Sequence, residues 1–131
     1  MESCKFKPYN VMGNLEFDII EICDEHAISK MAITKGILNP FRTVHAGANP
    51  WMADVTATAL LMQNTLKEQS FPVAINLHTN LLSALREGEI TATASITRIG
   101  FRVSVVRLLL TGNEDQLLAE VTSTHIKSKF K

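Results

Sequence analysis

One helix pattern constrains this chain more than any other feature of its sequence. From Ala48 to Leu66 the residues are apolar nearly all the way round the helix, and the run carries one acid, Asp54. A helix of this kind is expected in a protein core, where a carboxylate is costly unless it is paired or lines a cavity. The residue type alone leaves two alternatives open: Asp54 is a hydrogen-bonded structural acid, or it is the working group of a buried site.

The loop before this helix favours a site. Residues 39–47 lead into Pro50, which fits only within a first helical turn, so we expect the helix to begin near Ala46 or Gly47. Free N–H groups and the positive dipole end at such a terminus can stabilise an oxyanion. Asp54 lies about two turns after Gly47 and therefore on the same side of the helix. An oxyanion site and a carboxylate base are the parts that acyl hydrolysis requires.

Composition and charge argue against several classes of protein. The chain has 131 residues, enough for one domain, and its 13 basic residues balance 13 acidic ones, so net charge gives no reason to expect nucleic-acid binding. No window predicts a membrane span, and no signal peptide is recognisable. Cys4 and Cys23 match no metal-binding spacing, and we interpret both as reduced thiols of a cytoplasmic protein. His78 and His125 lack metal-ligand spacing and are interpreted as structural or surface residues.

The order of the elements predicts an α+β fold in a single domain over residues 1–131. Residues 1–13 carry little pattern and are expected to form an irregular lead-in. Alternation predicts a hairpin of two strands, then the helix to about Lys67, then four more strands joined by short turns. The predicted strands are 15–23, 27–34, 73–82, 89–97, 101–110 and 117–126. We therefore expect a curved antiparallel sheet of about six strands wrapped round one helix.

This element order and the loop motif resemble a known family. The order β-β-α-β-β-β-β with a central helix is similar to the hotdog fold. The motif resembles that of PaaI-type acyl-CoA thioesterases, within the 4-hydroxybenzoyl-CoA thioesterase superfamily, which have an Asn, a His-Gly-Gly and an Asp or Glu nine residues after the His. Here 54 − 45 = 9, and Asn39 precedes His45 by six residues, as in that family. The resemblance covers about residues 14–128.

The resemblance implies hydrolysis of acyl-CoA thioesters to free acid and CoA, without a metal or another cofactor. Asp54 matches the catalytic carboxylate, as general base or nucleophile, and the backbone N–H of Ala46 or Gly47 matches the group that holds the thioester oxygen. His45 and Asn39 match residues that shape the loop and position the thioester or the water.

Two further expectations follow from the same resemblance. A Ser or Thr that some members carry after the helix, to position the water, would fall near Ala74, so we expect that role to be empty or filled by Asn76 or Thr79. Arg98 and Arg102 flank a predicted hairpin turn. They are either solvated charges or, as the family implies, contacts to the CoA phosphates.

Two alternatives to hydrolysis remain open within this fold. One is a hydratase or dehydratase, but such an enzyme would carry an Asp where Pro40 stands. The other is a catalytically inactive acyl-CoA-binding protein, which the absence of a hydroxyl side chain at Ala74 supports.

The strand 73–82 has no charged residue and no proline to protect an exposed edge. The family implies that this strand pairs with its mate across a two-fold axis, so that Asp54 faces Asn39 and His45 across the seam of a homodimer or homotetramer.

Overall fold

The computed structural model describes residues 7–11, 15–65 and 69–129. Within these residues there are seven strands and one α-helix, and short 3-10 helices cover Lys35–Ile37 and Asn113–Asp115. In chain order the elements are β1 (Tyr9–Val11), β2 (Phe17–Ile22), β3 (His26–Ala32), α1 (Ala48–Thr65), β4 (Ser70–Leu81), β5 (Glu89–Ile99), β6 (Val103–Thr111) and β7 (Leu117–Lys129).

All of these strands belong to one antiparallel sheet with the order β1-β2-β3-β5-β6-β7-β4. After the helix the chain crosses to the far edge of the sheet, where β4 pairs with the last strand, β7. The sheet wraps round the single helix, which confirms the predicted α+β hotdog fold. It has seven strands where about six were expected, because Tyr9–Val11 pairs with β2 in a stretch that the sequence had suggested to be irregular.

The inner face of the sheet buries most of α1. Met52, Leu60 and Leu61 are almost completely inaccessible, and each fully buried side chain of this size contributes roughly 1.5–3 kcal/mol to folding. Thr56 is also buried, but its hydroxyl donates to the Met52 carbonyl oxygen at 2.7 Å and accepts from Ser29 Oγ at 2.7 Å. The sheet residues that form the rest of this core include Ile90, Val106, Leu108, Leu110 and Val121.

One stripe of the helix stays uncovered. Asp54, Thr58 and Met62 follow one another at intervals of four residues and are only half-buried, and Trp51 at the start of the helix is exposed. The expectation that the helix is buried on every side is therefore wrong for the isolated chain. The open stripe faces the edge of the sheet that β4 forms, because β4 and this stripe line the same cavity.

A β-bulge divides β4 into two halves. Ala74 lies opposite His125 and Asn76 lies opposite Thr124, so Ile75 is the extra residue. The buried β7 residues mark the inner face of the sheet, and their partners on β4 share that face. The bulge therefore shifts the alternation by one residue, so that the inward-facing residues of β4 are Ser70, Pro72, Ala74, Leu77, Thr79 and Leu81.

Several boundaries and one cysteine differ from the prediction. The helix begins at Ala48, after a turn formed by Ala46 and Gly47, and its predicted end near Lys67 lies outside the described residues. The prediction of a reduced thiol is wrong for Cys23, which is disulfide-bonded, and Cys4 lies outside the described residues. Disulfides are rare in the cytosol, so this bond lends no support to the predicted cytoplasmic location. In the part of the chain that is described, no helix is long and apolar enough to cross a membrane.

The turn before β5 provides a test of this architecture. Gly88 has a φ of +103°, its carbonyl oxygen accepts from the Ile33 N–H at 2.9 Å, and an added Cβ would overlap the Asn113 side chain. We expect Gly88→Ala to lower the free energy of unfolding by about 1–3 kcal/mol, because it combines backbone strain with a steric clash.

Urea denaturation measures this change, and Gly36→Ala is the matched control. A Cβ on Gly36 meets nothing nearer than Thr34 Oγ1 at 3.9 Å, so the control should stay within about 0.5 kcal/mol of the parent. Equal effects of the two substitutions would contradict the geometry of this turn.

Candidate active site

A cavity of about 430 Å³ lies between the open stripe of α1 and the first half of β4. Asp54 and Thr58 supply its polar side chains from the helix, while Phe71, Pro72 and Ala74 line it from the strand. Asp54 is half-buried at this cavity, and its one hydrogen bond to a described residue is a long one, 3.5 Å, from Thr58 Oγ1. A structural acid in a core would be better satisfied, so the geometry favours the second alternative for Asp54, a working group.

Thr58 is a functional candidate that the sequence analysis missed. It lies one helical turn after Asp54, and its hydroxyl can donate to the carboxylate or hold a water molecule beside it. The spacing of four residues was visible in the sequence. The sequence does not single out Thr58, because the apolar helix pattern gives no indication of which stripe faces a cavity.

His125 is a second missed candidate, on β7 directly opposite Ala74. The side chain is buried, with a relative exposure of 1%, and its Nε2 lies 2.5 Å from Ser123 Oγ. Its Nδ1 is buried and has no hydrogen-bond partner in the part of the chain that the structure describes. Burial lowers the pKa of His125, while the Asp54 carboxylate and the Pro72 carbonyl oxygen act in the opposite direction, so the imidazole is neutral at pH 7. The interpretation of this residue as structural or surface did not anticipate its position beside the cavity.

The loop before α1 places its groups differently. The Asn39 side chain is used inside the loop: its Oδ1 accepts from the N–H groups of Phe41 (2.9 Å) and Thr43 (3.2 Å), and its Nδ2 donates to Thr43 Oγ1 (2.8 Å). Asn39 therefore shapes the loop, one of the two roles expected of it. His45 is exposed at the end of this loop, where its N–H bonds to the Ile37 carbonyl oxygen at 2.7 Å.

The turn at Ala46 and Gly47 leaves two donors available. The N–H groups of Ala48 and Asn49 bond to the carbonyl oxygens of His45 (3.0 Å) and Ala46 (3.2 Å). The N–H groups of Ala46 and Gly47 themselves make no hydrogen bond to any described group, and both residues are exposed. These are the two donors that the sequence predicts for a thioester oxygen, and they belong to the turn, not to the helix proper.

Within one chain, the Asp54 carboxylate and Ala46 line different cavities. Ala46 lines a smaller one of about 90 Å³, together with Asn49 and Leu81, whereas Asp54 lines the larger one. The helical rise from Ala48 to Asp54 is already roughly 9 Å, and the turn that holds the two donors precedes Ala48, so both cannot act on one carbonyl group. The single chain therefore does not bring together the two halves of the predicted machinery.

The two polar residues predicted to replace a hydroxyl at Ala74 take opposite faces of the sheet. Asn76 pairs with Thr124 on the outer face, away from α1, because it follows the bulge. The structure therefore does not bring Asn76 to Asp54 in the single chain. Thr79 faces inward opposite Val121, and its hydroxyl is buried without a partner among the described residues. It lies beyond the residues that line the Asp54 cavity.

The two arginines near the β5–β6 turn are also separated. Arg98 pairs with Val105 on the outer face of the sheet. Arg102 instead lines a cavity of about 440 Å³ with Lys127 and Lys129 from β7, Phe101 from the turn and Ser70 from β4. Three of the described residues that line it are cations. The two lysines follow His125 on the same strand, so this basic pocket lies roughly 7–13 Å along β7 from the imidazole.

Potential metal ligands within the described residues gather elsewhere. Glu21, Cys23 and His26 have their ligand atoms within 4.8 Å of one another, at the β2–β3 turn. His26 Nε2 contacts Glu21 Oε2 at 2.7 Å, and Cys23 is disulfide-bonded, so its sulfur is not a thiolate ligand. This trio shares no residue with the Asp54 cavity.

Solved structures share this fold at low sequence identity. Thioesterase HI1161 from Haemophilus influenzae superposes with a TM-score of 0.81 and 19% identity, covering 86% of this chain and 78% of that one. The Escherichia coli PaaI protein from the phenylacetic acid degradation operon superposes with a TM-score of 0.77 and 19% identity, covering 86% and 79%.

Sequence comparison adds a relative and a family. ComA2 of Bacillus subtilis (strain 168), which is named as an esterase, is 22% identical over 110 residues, covering 84% of this chain and 87% of that protein. The model of the thioesterase superfamily matches residues 41–119, more than half of the chain and the part that contains α1 and the cavity residues on β4. This chain therefore belongs to the thioesterase superfamily, whose reaction class is the hydrolysis of thioesters.

Proposed function

We propose that this protein hydrolyses acyl-CoA thioesters to the free acid and CoA, with Asp54 as the general base. The observation that carries the proposal is the Asp54 cavity: a carboxylate and a hydroxyl, Thr58, face a partly apolar space large enough for an acyl group. The superfamily supplies the reaction class, and the CoA portion of the substrate is our inference.

The reaction follows from these groups. Asp54 accepts a proton from a water molecule while that water attacks the thioester carbonyl carbon, and the Thr58 hydroxyl orients the carboxylate or the water. The carbonyl oxygen becomes an oxyanion, which the N–H groups of Ala46 and Gly47 stabilise. When the carbon–sulfur bond breaks, the thiolate of CoA leaves and takes a proton, and the carboxylic acid remains.

We infer that this reaction needs two copies of the chain. Asp54 and Ala46 line different cavities of one chain, so a second copy has to supply one of the two groups. The surface for this contact is β4, which pairs with β7 on one side only. Beyond its bulge, Leu77 and Leu81 face inward but remain exposed, because the chain's own helix does not cover them. A homodimer, or a tetramer built from two such dimers, would cover both leucines and complete the site.

The basic pocket is our candidate for the CoA phosphates. Arg102 and Lys129 bring positive charge to this pocket, which attracts an anion, and Phe101, 88% exposed, offers a face for stacking. Arg102 keeps the role expected for it, Lys127 and Lys129 join it, and Arg98 on the outer face does not.

Two alternatives weigh less than hydrolysis. The case for an inactive binding protein rested on Ala74, yet Thr58 brings a hydroxyl group to the same cavity beside Asp54. A hydratase of this fold would carry an acid at Pro40, which is an exposed turn residue here. Rates measured across a panel of acyl-CoA and enoyl-CoA substrates separate all three.

Asp54→Asn tests the base. The substitution keeps the shape of the side chain and removes its ability to accept a proton, so kcat/KM should fall by roughly 10²–10⁴-fold. Because Asp54 is half-buried and has one long hydrogen bond, the melting temperature should change little. Asp24→Asn, at an exposed turn, is the control and should keep full activity. A folded Asp54→Asn protein with the parent's kcat/KM would refute the assignment.

Arg102→Ala tests the basic pocket against Arg98→Ala, an arginine of the same turn on the other face of the sheet. We expect Arg102→Ala to raise KM for an acyl-CoA by several-fold to about tenfold, the scale of one partly exposed charged contact. The KM for the same acyl group on N-acetylcysteamine, which carries no phosphate, should not change. Equal effects on both thioesters, or an equal loss in Arg98→Ala, would contradict the pocket's role.

Sedimentation at micromolar concentration tests the shared site. The parent should sediment as a dimer or tetramer, and Leu77→Lys should give a folded, inactive monomer because it places a charge on the pairing edge. Ile20→Lys is the control: Ile20 has a similar exposure, 36% against 37% for Leu77, but lies on β2, away from the β4 edge. A parent that is fully active as a monomer would overturn both the pairing and the shared site.

A further inference from the structure

His125 has features that neither packing nor the proposed general base explains. Resting on the proposed hydrolysis, we propose that His125 is a positioning residue of the site, whose Nδ1 holds over Ala74 the water molecule that Asp54 activates. The imidazole of β7 would then fill the role left open by the absence of a hydroxyl side chain at Ala74 on β4.

The imidazole ring of His125 lies near the Asp54 cavity. His125 lies directly opposite Ala74 across the β4–β7 pair, and both face the helix. Side chains in such a pair have Cβ atoms about 4.5–5.5 Å apart. Ala74 lines the Asp54 cavity and carries only a methyl group, so it leaves the imidazole close to that cavity. The bulge at Ile75 begins immediately after this pair, and bulges commonly redirect side chains next to active sites.

The two ring nitrogens of His125 differ in their hydrogen bonding. Nε2 is occupied, at 2.5 Å from Ser123 Oγ. Nδ1 is buried with no hydrogen-bond partner among the described residues, a costly state for a polar atom. The Pro72 carbonyl oxygen is near enough to influence the ring but does not meet Nδ1 in hydrogen-bond geometry. A buried water molecule is the usual partner for such an atom, and the Asp54 cavity, which the opposite residue Ala74 lines, is many times larger than one water requires.

The charges around the His125 ring also favour a bridging water molecule. Asp54 acts on the imidazole through space without a direct hydrogen bond to it, a relation that one bridging water satisfies. Burial lowers the pKa of the imidazole and so favours its neutral form, which does not form an ion pair with Asp54. The cross-strand neighbours of His125, Ala74 on β4 and Ser104 on β6, are uncharged. A neutral ring beside a carboxylate orients a water molecule and leaves proton transfer to Asp54.

Two substitutions separate this role from a structural one. An Asn side chain carries its amide at the same number of bonds from Cα as Nδ1, whereas a Gln amide lies at the distance of Nε2. We expect His125→Asn to stay within about threefold of the parent's kcat. His125→Gln should lose roughly 10- to 100-fold in kcat, the effect of one buried hydrogen bond, with KM unchanged.

A merely structural histidine gives the opposite order. If His125 serves only to bond Ser123, His125→Gln retains activity, while His125→Asn and Ser123→Ala lose stability and activity together. Our proposal expects Ser123→Ala to stay within about threefold of the parent's kcat. Parental kcat in both histidine variants, or a loss only in His125→Asn, would overturn the proposal. Melting temperatures identify any variant that fails to fold.

A measurement on the unaltered protein keeps the proposal testable if variants misfold. A high-resolution crystal structure of the parent should show a water oxygen within about 3.2 Å of both His125 Nδ1 and an Asp54 carboxylate oxygen. A direct bond from Nδ1 to the Pro72 carbonyl oxygen, or to a group of a second copy of the chain, would refute it. Failure of the proposed hydrolysis itself would appear separately, as an absence of turnover in the parent.

Discussion

The packing of α1 against the inner face of the sheet is the interaction on which the rest of the structure depends. Met52, Leu60 and Leu61 fix the rotation of the helix because each is buried among sheet residues. That rotation turns the stripe of Asp54, Thr58 and Met62 towards the edge of the sheet. The Asp54 carboxylate thus faces the cavity from a helix, without a loop to position it. Helices and strands hold functional groups more precisely than loops do.

The edge strand β4 serves two surfaces because its alternation shifts at Ile75. Its first half lines the Asp54 cavity through Pro72 and Ala74, and its second half presents Leu77 and Leu81, which remain exposed in the single chain. A regular strand with this sequence would turn Asn76 inward and both leucines outward. One extra residue therefore links the chemistry of the cavity to the surface that we assign to the second copy.

The sequence predicts most of the fold because periodicity reports local structure. It also singles out Asp54, since an acid is conspicuous in an apolar run, and Ala46 and Gly47, since Pro50 marks the helix start. Thr58 escaped prediction because a helix that is apolar all round gives no sign of its open stripe. The face of Asn76 and the place of His125 depend on a bulge and on the β4–β7 pairing, which arise from tertiary contacts between distant segments and leave no local pattern.

The pairing of β4 with β7 also sets an order of events when the chain is made. Ser70 pairs with Lys129 and Leu81 with Ala119, so strands 38 to 59 residues apart in sequence have to meet. Non-local pairings of this kind slow folding, and an unpaired strand exposes a surface that aggregates. During synthesis β4 emerges well before β7, the strand with which it pairs. The cavity beside Asp54 is therefore among the last parts of the molecule to form, and a nascent chain that lacks its final strand has the helix but not the site.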